Sequence, residues 1–160
     1  MAAFESAYTG IVSLAQLRWL DEHRPDPAPL EAARRFAVAD LPDDRLVGFH
    51  APERAGGRAW RWAAALAQLD VPVPPGACEL RLDPGGVRPD GAPPLAVFVN
   101  GRRIALAAGE GGRWRGRVPE RALRGRSAKL VLVSVPLRQW RQGSSDRREL
   151  GLPLVSVEFA

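Results

Sequence analysis

The chain has 160 residues, of which 46% are apolar and 26% charged, so it is long enough to bury the core of one globular domain. The net charge of +5 raises nucleic-acid binding as an option, but no stretch combines clustered Lys and Arg with interleaved aromatic residues, and this function class is set aside. No segment is long and apolar enough to span a bilayer, and no secretory signal is visible. With Cys78 as the single cysteine, these features predict a cytoplasmic protein without disulfides.

The charge is unevenly distributed along the chain. Residues 1–45 hold five arginines against eight acidic residues, a net charge of −3, whereas residues 46–160 hold 18 basic against 10 acidic residues, a net charge of +8. A net charge of +8 favours anionic partners such as phosphates, nucleotide sugars or lipid head groups, and it leaves peripheral membrane contact open. The alternative is a scattered, solvated basic surface without a dedicated anion site.

The first part of the chain predicts helices. Apolar residues recur at three- and four-residue steps from about Ala3 to Glu22, which indicates an amphipathic helix. The segment Asp26-Pro27-Ala28-Pro29 then predicts the cap of a second, shorter helix through Leu30, Ala33 and Phe36. We therefore predict a helical N-terminal segment and linker over residues 1–45, which is either docked on the remainder or the stub of a larger fused enzyme.

From residue 46 onward the apolar residues alternate, as in strands. The Asn100-Gly101 pair predicts a type I′ β-hairpin in which Val97 pairs with Ile104 and Val99 with Arg102, with this face toward the core. Lys129 to Val135 predicts a central strand covered on both faces. The pattern over residues 46–160 predicts about eight strands, and the long polar crossing before the last strand favours a jelly-roll or Greek-key β-sandwich.

The order of short motifs in this region resembles that of a small bacterial β-sandwich module found fused to, or encoded beside, glycosyltransferases of surface-polysaccharide synthesis, and similar to galactose-binding, carbohydrate-module jelly rolls. The motifs that carry this resemblance are Gly48-Phe49-His50-Ala51-Pro52-Glu53, Trp60-Arg61-Trp62, Leu69-Asp70-Val71-Pro72, Pro74-Pro75-Gly76, Val97-Phe98-Val99-Asn100-Gly101, Ser145-Asp146-Arg147-Arg148-Glu149-Leu150-Gly151 and Val155-Ser156-Val157-Glu158-Phe159. The resemblance implies a non-catalytic accessory module, with a saccharide or a glycosyltransferase as its partner. The family usually has Thr-Gly after Trp-Arg-Trp, whereas this chain has Ala63-Ala64.

Four tryptophans and four polar residues are the candidate ligand-binding residues. Sugar-binding sandwiches stack a pyranose on an exposed aromatic ring and hold its hydroxyls with polar side chains. The candidates are Trp60, Trp62, Trp114, Trp140, Asn100, Asp146, Arg147 and Arg148. Of the tryptophans, Trp140 is predicted to be the most exposed, and the other three are alternatively core residues. Asp146 and its arginine neighbours alternatively form an internal bridge that pins the crossing loop, and Asn100 alternatively serves the turn alone.

The sequence contains no set of residues that indicates catalysis, a metal or a cofactor. His23 and His50 lie in different regions and make no zinc-ligand spacing with Cys78, and Ser144, Ser145 and Asp146 make no triad by adjacency. We therefore predict no enzyme activity and no cofactor. The alternative function is a protein–protein interaction scaffold that binds no sugar, which would bury its tryptophans and expose an apolar patch.

Overall fold

The computed structural model describes residues 13–86, 88 and 95–160. The described residues form one α-helix, α1 (Leu14–His23), and twelve strands. The strands are β1 (Arg35–Ala37), β2 (Leu46–Phe49), β3 (Glu53–Ala55), β4 (Arg58–Pro72), β5 (Glu79–Asp83), β6 (Leu95–Val99), β7 (Arg102–Ile104), β8 (Ala107–Ala108), β9 (Trp114–Arg117), β10 (Ser127–Ser134), β11 (Pro153–Leu154) and β12 (Ser156–Phe159). Short 3-10 helices span Val38–Asp40, Asp43–Arg45, Glu110–Gly112, Glu120–Ala122 and Gln139–Gln142. None of the helices in the described ranges is long and apolar enough to cross a membrane.

The strands make two antiparallel sheets, as expected for a mainly β chain. The first sheet has the order β1-β12-β5-β9-β8, and the second has the order β11-β4-β10-β6-β7, with β2 and β3 also paired to β4. One continuous apolar core joins residues of both sheets, including Leu69, Val97 and Leu130 from the second and Leu80 and Val157 from the first. The arrangement is therefore sandwich-like, because each sheet buries its alternate apolar residues against the other.

The predicted β6–β7 hairpin is confirmed. Val97 pairs with Ile104 and Val99 with Arg102, and both Asn100 (φ 48°) and Gly101 (φ 78°) have the positive φ that a type I′ turn requires. Val97, Val99 and Ile104 are buried, so the predicted face is the core face. The backbone pairing of this hairpin ends at Ile104 and does not include Leu106.

The prediction of a second N-terminal helix is wrong. Arg35–Ala37 forms strand β1, which places Phe36 in the core opposite Val157 of β12. A short helix is costly to nucleate, whereas pairing with β12 satisfies the backbone of Arg35–Ala37 and leaves Phe36 only 7% exposed. The division into a helical segment and a β module at residue 45 stays a prediction, but the segment before it contributes this strand.

Helix α1 confirms part of the first predicted helix; the portion before Ser13 lies outside the described residues. Ser13 and Gln16 form a capping box, in which the Ser13 hydroxyl accepts from the Gln16 N–H (3.2 Å) and the Gln16 side chain accepts from the Ser13 N–H (2.8 Å). Leu17 and Leu20 pack against Val47 on the outer face of the second sheet. The helix therefore covers part of that face.

Strand β10 lies between β4 and β6 as predicted, but it is not covered on both faces. Leu130 and Leu132 are buried in the core, whereas Val131 lies under α1 and Val133 is 38% exposed. The residues of this apolar run therefore alternate between the core face and the outer face of the sheet, and α1 covers the outer face at Val131 but leaves Val133 partly exposed. Residues 58–72 form the single long strand β4.

Candidate functional site

The segment 135–152, called the crossing loop here, packs over the first half of β4. Leu137 and Leu150 pair with each other through two backbone hydrogen bonds (2.6 and 3.1 Å), which closes the loop at its base. Their side chains cluster with Trp60 and Trp62, and Val155 packs against the same group. This cluster is separate from the main core, which takes Ala63 of the same strand. The two tryptophans thus lie on the face of β4 that points away from the main core.

Arg148 joins the crossing loop to the β3–β4 hairpin. Its Nε donates to Asp146 Oδ1 (3.0 Å) and its Nη2 donates to Asp146 Oδ2 (2.7 Å), a bidentate pair within the loop. Its Nη1 donates to Glu53 Oε1 (2.6 Å), which comes from β3, 95 residues earlier in the chain. All three nitrogens of the guanidinium are therefore engaged within the protein. These contacts match the interpretation in which an Asp–Arg bridge pins the loop, and ligand binding by Asp146 and Arg148 stays a prediction.

His50 and Glu149 extend this polar cluster toward the sandwich. The buried His50 ring lies with Nε2 3.2 Å from the Glu149 backbone carbonyl, and its backbone N–H donates to Trp62 (2.9 Å). The Glu149 carboxylate accepts from Arg138 Nη2 (2.6 Å). Each ionised side chain of the cluster thus has an opposite charge as its neighbour, as buried or half-buried charges require.

Two groups of the cluster have shifted pKa values. Hydrogen bonds from Arg148 lower the pKa of Asp146 to about 2, and the same bonds raise the pKa of Arg148 further above its ordinary value. Burial lowers the pKa of His50, opposed in part by the hydrogen bond to Glu149. The cluster therefore holds an ionised Asp146, an ionised Arg148 and a neutral His50 at neutral pH.

The predicted tryptophans lie in three different environments. Trp60 and Trp62 are 8% and 3% exposed, so these rings are covered by the crossing loop. Trp114 on β9 is half-buried against the main core, and its indole N–H is buried without a hydrogen-bond partner in the described part of the chain. Trp140 is half-buried in the 3-10 helix Gln139–Gln142 of the crossing loop. The most exposed tryptophan is Trp19 of α1, at 56%, which stacks on His23.

Arg147 and Asn100 lie apart from the polar cluster. Arg147 is exposed, and its side chain makes no hydrogen bond or ion pair with the described residues. Asn100 lies near the opposite end of β4, where its Nδ2 donates to the carbonyls of Ala122 (2.6 Å) and Ser127 (2.8 Å) and its Oδ1 accepts from the Lys129 N–H (2.9 Å). The Asn100 side chain is therefore saturated by backbone groups.

A shallow hollow of about 410 Å³ lies on the crossing loop beside Trp140. It is lined by Val135, Pro136, Leu137, Arg138, Arg141 and Gln142. Its wall combines apolar carbon with two guanidinium groups and an amide, which suits the rim of a sugar or a polar peptide. Trp140 itself does not line the hollow.

The sequence did not predict the role of His50, Glu53, Arg138 and Glu149 in this cluster. Its signals were the presence of His50 and Glu53 in the motif Gly48-Phe49-His50-Ala51-Pro52-Glu53 and of Glu149 in the motif that begins at Ser145, whereas Arg138 lies in neither motif. In the structure, Gly48 adopts φ 72° at an irregularity in the β2–β4 pairing, and a Cβ there would lie 2.6 Å from the Leu66 carbonyl oxygen. The glycine is thus required where the chain turns out of β2 toward the histidine.

Within the described ranges, no group of three or more His, Cys, Asp and Glu side chains is arranged to hold a metal ion. A scan against models of known protein families finds no match, and a comparison with curated protein sequences finds none either.

Proposed function

We propose that this chain is a non-catalytic accessory module of bacterial glycan synthesis that supports a glycosyltransferase by protein contact. The setting rests on the resemblance of residues 46–160 to the glycosyltransferase-associated sandwich modules. The same resemblance supports assigning the two sheets to the galactose-binding type of jelly roll.

The distribution of exposed apolar residues carries the proposal of protein contact. Trp60 and Trp62, two of the four tryptophans considered as sugar platforms, lie under the crossing loop. The large apolar side chains that are exposed in the described ranges belong instead to α1, to β10 and to the residue after it: Leu14, Trp19, Val133 and Val135. Since α1 packs on the outer face to which Val131 and Val133 belong, this is the face we assign to the glycosyltransferase.

The test is complex formation with a purified bacterial glycosyltransferase of surface-polysaccharide synthesis, the kind of partner that the resemblance implies. The variant Trp19→Gln/Val133→Thr/Val135→Thr makes three of the four exposed apolar side chains polar. We expect it to weaken the complex at least about tenfold, because apolar contacts at an interface centre carry much of the affinity. The control Ala37→Ser/Ala107→Ser/Ala108→Ser makes three polar changes on the exposed part of the first sheet. Sedimentation of the purified chain together with the glycosyltransferase measures the affinity of each triple variant. Equal affinity of the two triple variants would contradict the proposed face.

A second candidate function, saccharide binding, is favoured by the hollow beside the half-exposed Trp140. A neutral bacterial oligosaccharide titrated into the labelled protein would then shift the backbone amide signals of Trp140, Arg141 and Arg147. The variant Trp140→Ala should abolish these shifts, whereas Trp19→Gln should leave them unchanged. Absence of saturable shifts at millimolar oligosaccharide would exclude this second function and leave the docking role.

A further inference from the structure

A second hollow lies at the other end of the sandwich, far along β4 from the crossing loop. Its volume is about 570 Å³, it is open to solvent, and it is lined by Arg117, Pro119, Glu120, Arg121 and Arg124. Arg117 ends β9, Arg121 belongs to the 3-10 helix Glu120–Ala122, and Arg124 follows that helix. Three arginines from one short segment thus line a single open hollow, which we call the arginine hollow.

The side chains of these three arginines are unpaired within the described ranges, since none makes a hydrogen bond or ion pair with a described residue. Arg117 does lie opposite Glu79 in the β5–β9 register, but the Glu79 carboxylate is bonded to Arg81 (2.5 Å). Between residues 117 and 126 the chain holds four arginines and one glutamate, a net charge of +3. This segment therefore carries an excess of positive charge, which Glu120 offsets in part.

The backbone around the hollow is fixed by hydrogen bonds. The Ala122 N–H donates to Pro119 (2.8 Å), the Leu123 N–H to Glu120 (2.9 Å) and the Arg126 N–H to Leu123 (3.0 Å). Asn100, at the tip of the β6–β7 hairpin, ties this turn to β10 through the carbonyls of Ala122 and Ser127. The turn that carries the arginines is therefore held by hydrogen bonds, so its backbone need not become ordered when a ligand binds.

We propose that the arginine hollow binds the phosphate groups of a phosphorylated ligand. A planar guanidinium offers paired N–H donors that match two phosphate oxygens, and several guanidinium groups together recognise a diphosphate better than a single charge. Glu120 on the same wall repels an anion and so opposes binding. The phosphate belongs either to a soluble diphosphate or to a lipid head group. The inference does not depend on the docking face, because different residues form the two surfaces.

Two probes distinguish the sources of phosphate. Calorimetry measures the binding of uridine diphosphate in solution. Co-sedimentation measures the binding of phosphatidylglycerol vesicles, with phosphatidylcholine vesicles for comparison. We expect the full chain to bind one of these probes and the variant Arg117→Gln/Arg121→Gln/Arg124→Gln to bind it at least about tenfold more weakly. The control Arg18→Gln/Arg34→Gln/Arg35→Gln removes the same charge from exposed positions outside the hollow. It should change the affinity less than about twofold.

Glu120→Gln gives a test with the opposite sign, which loss of folding cannot imitate. Removal of this carboxylate should tighten binding of the same probe severalfold, most clearly at low salt. Binding of uridine diphosphate assigns a soluble ligand, and binding of phosphatidylglycerol vesicles alone assigns a lipid head group. Failure of both probes to bind, or equal losses in the two triple variants, would overturn the proposal.

Discussion

Gly151 shows how one residue determines how closely the crossing loop approaches β4. Its N–H donates to the Ala63 carbonyl (2.6 Å), and its own carbonyl accepts from Arg88 Nη1 (2.9 Å). A Cβ at this position would lie 2.6 Å from the Ser134 hydroxyl and closer still to the Ala64 carbonyl oxygen. A side chain here would therefore separate the loop from the strand on which the buried tryptophans lie.

We expect Gly151→Ala to destabilise the protein by about 2 kcal/mol or more, because backbone atoms cannot yield as a side chain would. Urea unfolding measures the effect. Gly125→Ala is the matched control, since the added Cβ meets nothing within 4 Å, and it should change stability by less than about 1 kcal/mol. Equal stability of the two variants would contradict this account of the close approach.

The crossing loop is held on the sandwich in part by ion pairs. Arg148 connects it to β3 through Glu53, while the adjacent Arg147 is exposed and makes no bond with the described residues. The two neighbouring arginines thus differ in their contacts although the sequence presents them as equivalents.

We expect Arg148→Met to cost about 1 to 2 kcal/mol of unfolding free energy, because it leaves Asp146 and Glu53 without their shared cation. The variant should also make the crossing loop cleavable by protease and move the emission of Trp60 and Trp62 toward that of exposed tryptophan. Arg147→Met should stay within about 0.5 kcal/mol of the parent chain, with an unchanged proteolysis pattern. A larger loss from Arg147→Met than from Arg148→Met would show that the assignment of the bridge is wrong.

How well the sequence predicts these elements depends on how far apart in the chain the interacting residues lie. The β6–β7 register follows from two adjacent residues, Asn100 and Gly101, so local conformational preference is sufficient. The bond between Asp146 and Arg148 spans two residues and was among the predicted alternatives. The contact of Arg148 with Glu53 spans 95 residues, and no local pattern indicates which carboxylate the loop will meet. Strand β1 was missed for the same reason, since its partner β12 ends the chain.

At the scale of the whole molecule, the two ends of the sandwich differ in how their charges are compensated. Around the crossing loop, Arg138 and Arg148 each have a carboxylate partner, whereas Arg117, Arg121 and Arg124 have none among the described residues. The net charge of +5 does not reveal which arginines have a carboxylate partner, because that depends on which strands become neighbours in the fold. The fold therefore pairs Arg138 and Arg148 with carboxylates and leaves other arginines exposed, among them Arg147 of the same loop and the three of the arginine hollow.

The polar cluster around Arg148 predicts that stability falls with acid in two steps. His50 has a pKa below its ordinary 6.5 when folded, so protons bind the unfolded chain preferentially, and stability decreases as the pH falls below about 6.5. Asp146 has a pKa lowered from 3.8 to about 2, so its contribution is complete above about pH 4 and is lost as the pH falls toward 2. Arg148, Asp146 and Glu53 are the charged side chains that act on His50.

Urea unfolding at pH 7, 5, 4 and 2.5 separates these two steps in His50→Gln and Asp146→Asn. The first variant should lose the decrease of stability between about pH 6.5 and 5, because a group that does not titrate cannot bind the proton. The second should be less stable than the parent chain at pH 7, and this difference should shrink below about pH 4 as the parent's own carboxylate becomes protonated. A parent chain whose stability does not change between pH 7 and 5 would contradict the buried, neutral histidine. A constant difference between Asp146→Asn and the parent down to pH 2.5 would contradict the bidentate bond from Arg148 as the cause of the low pKa.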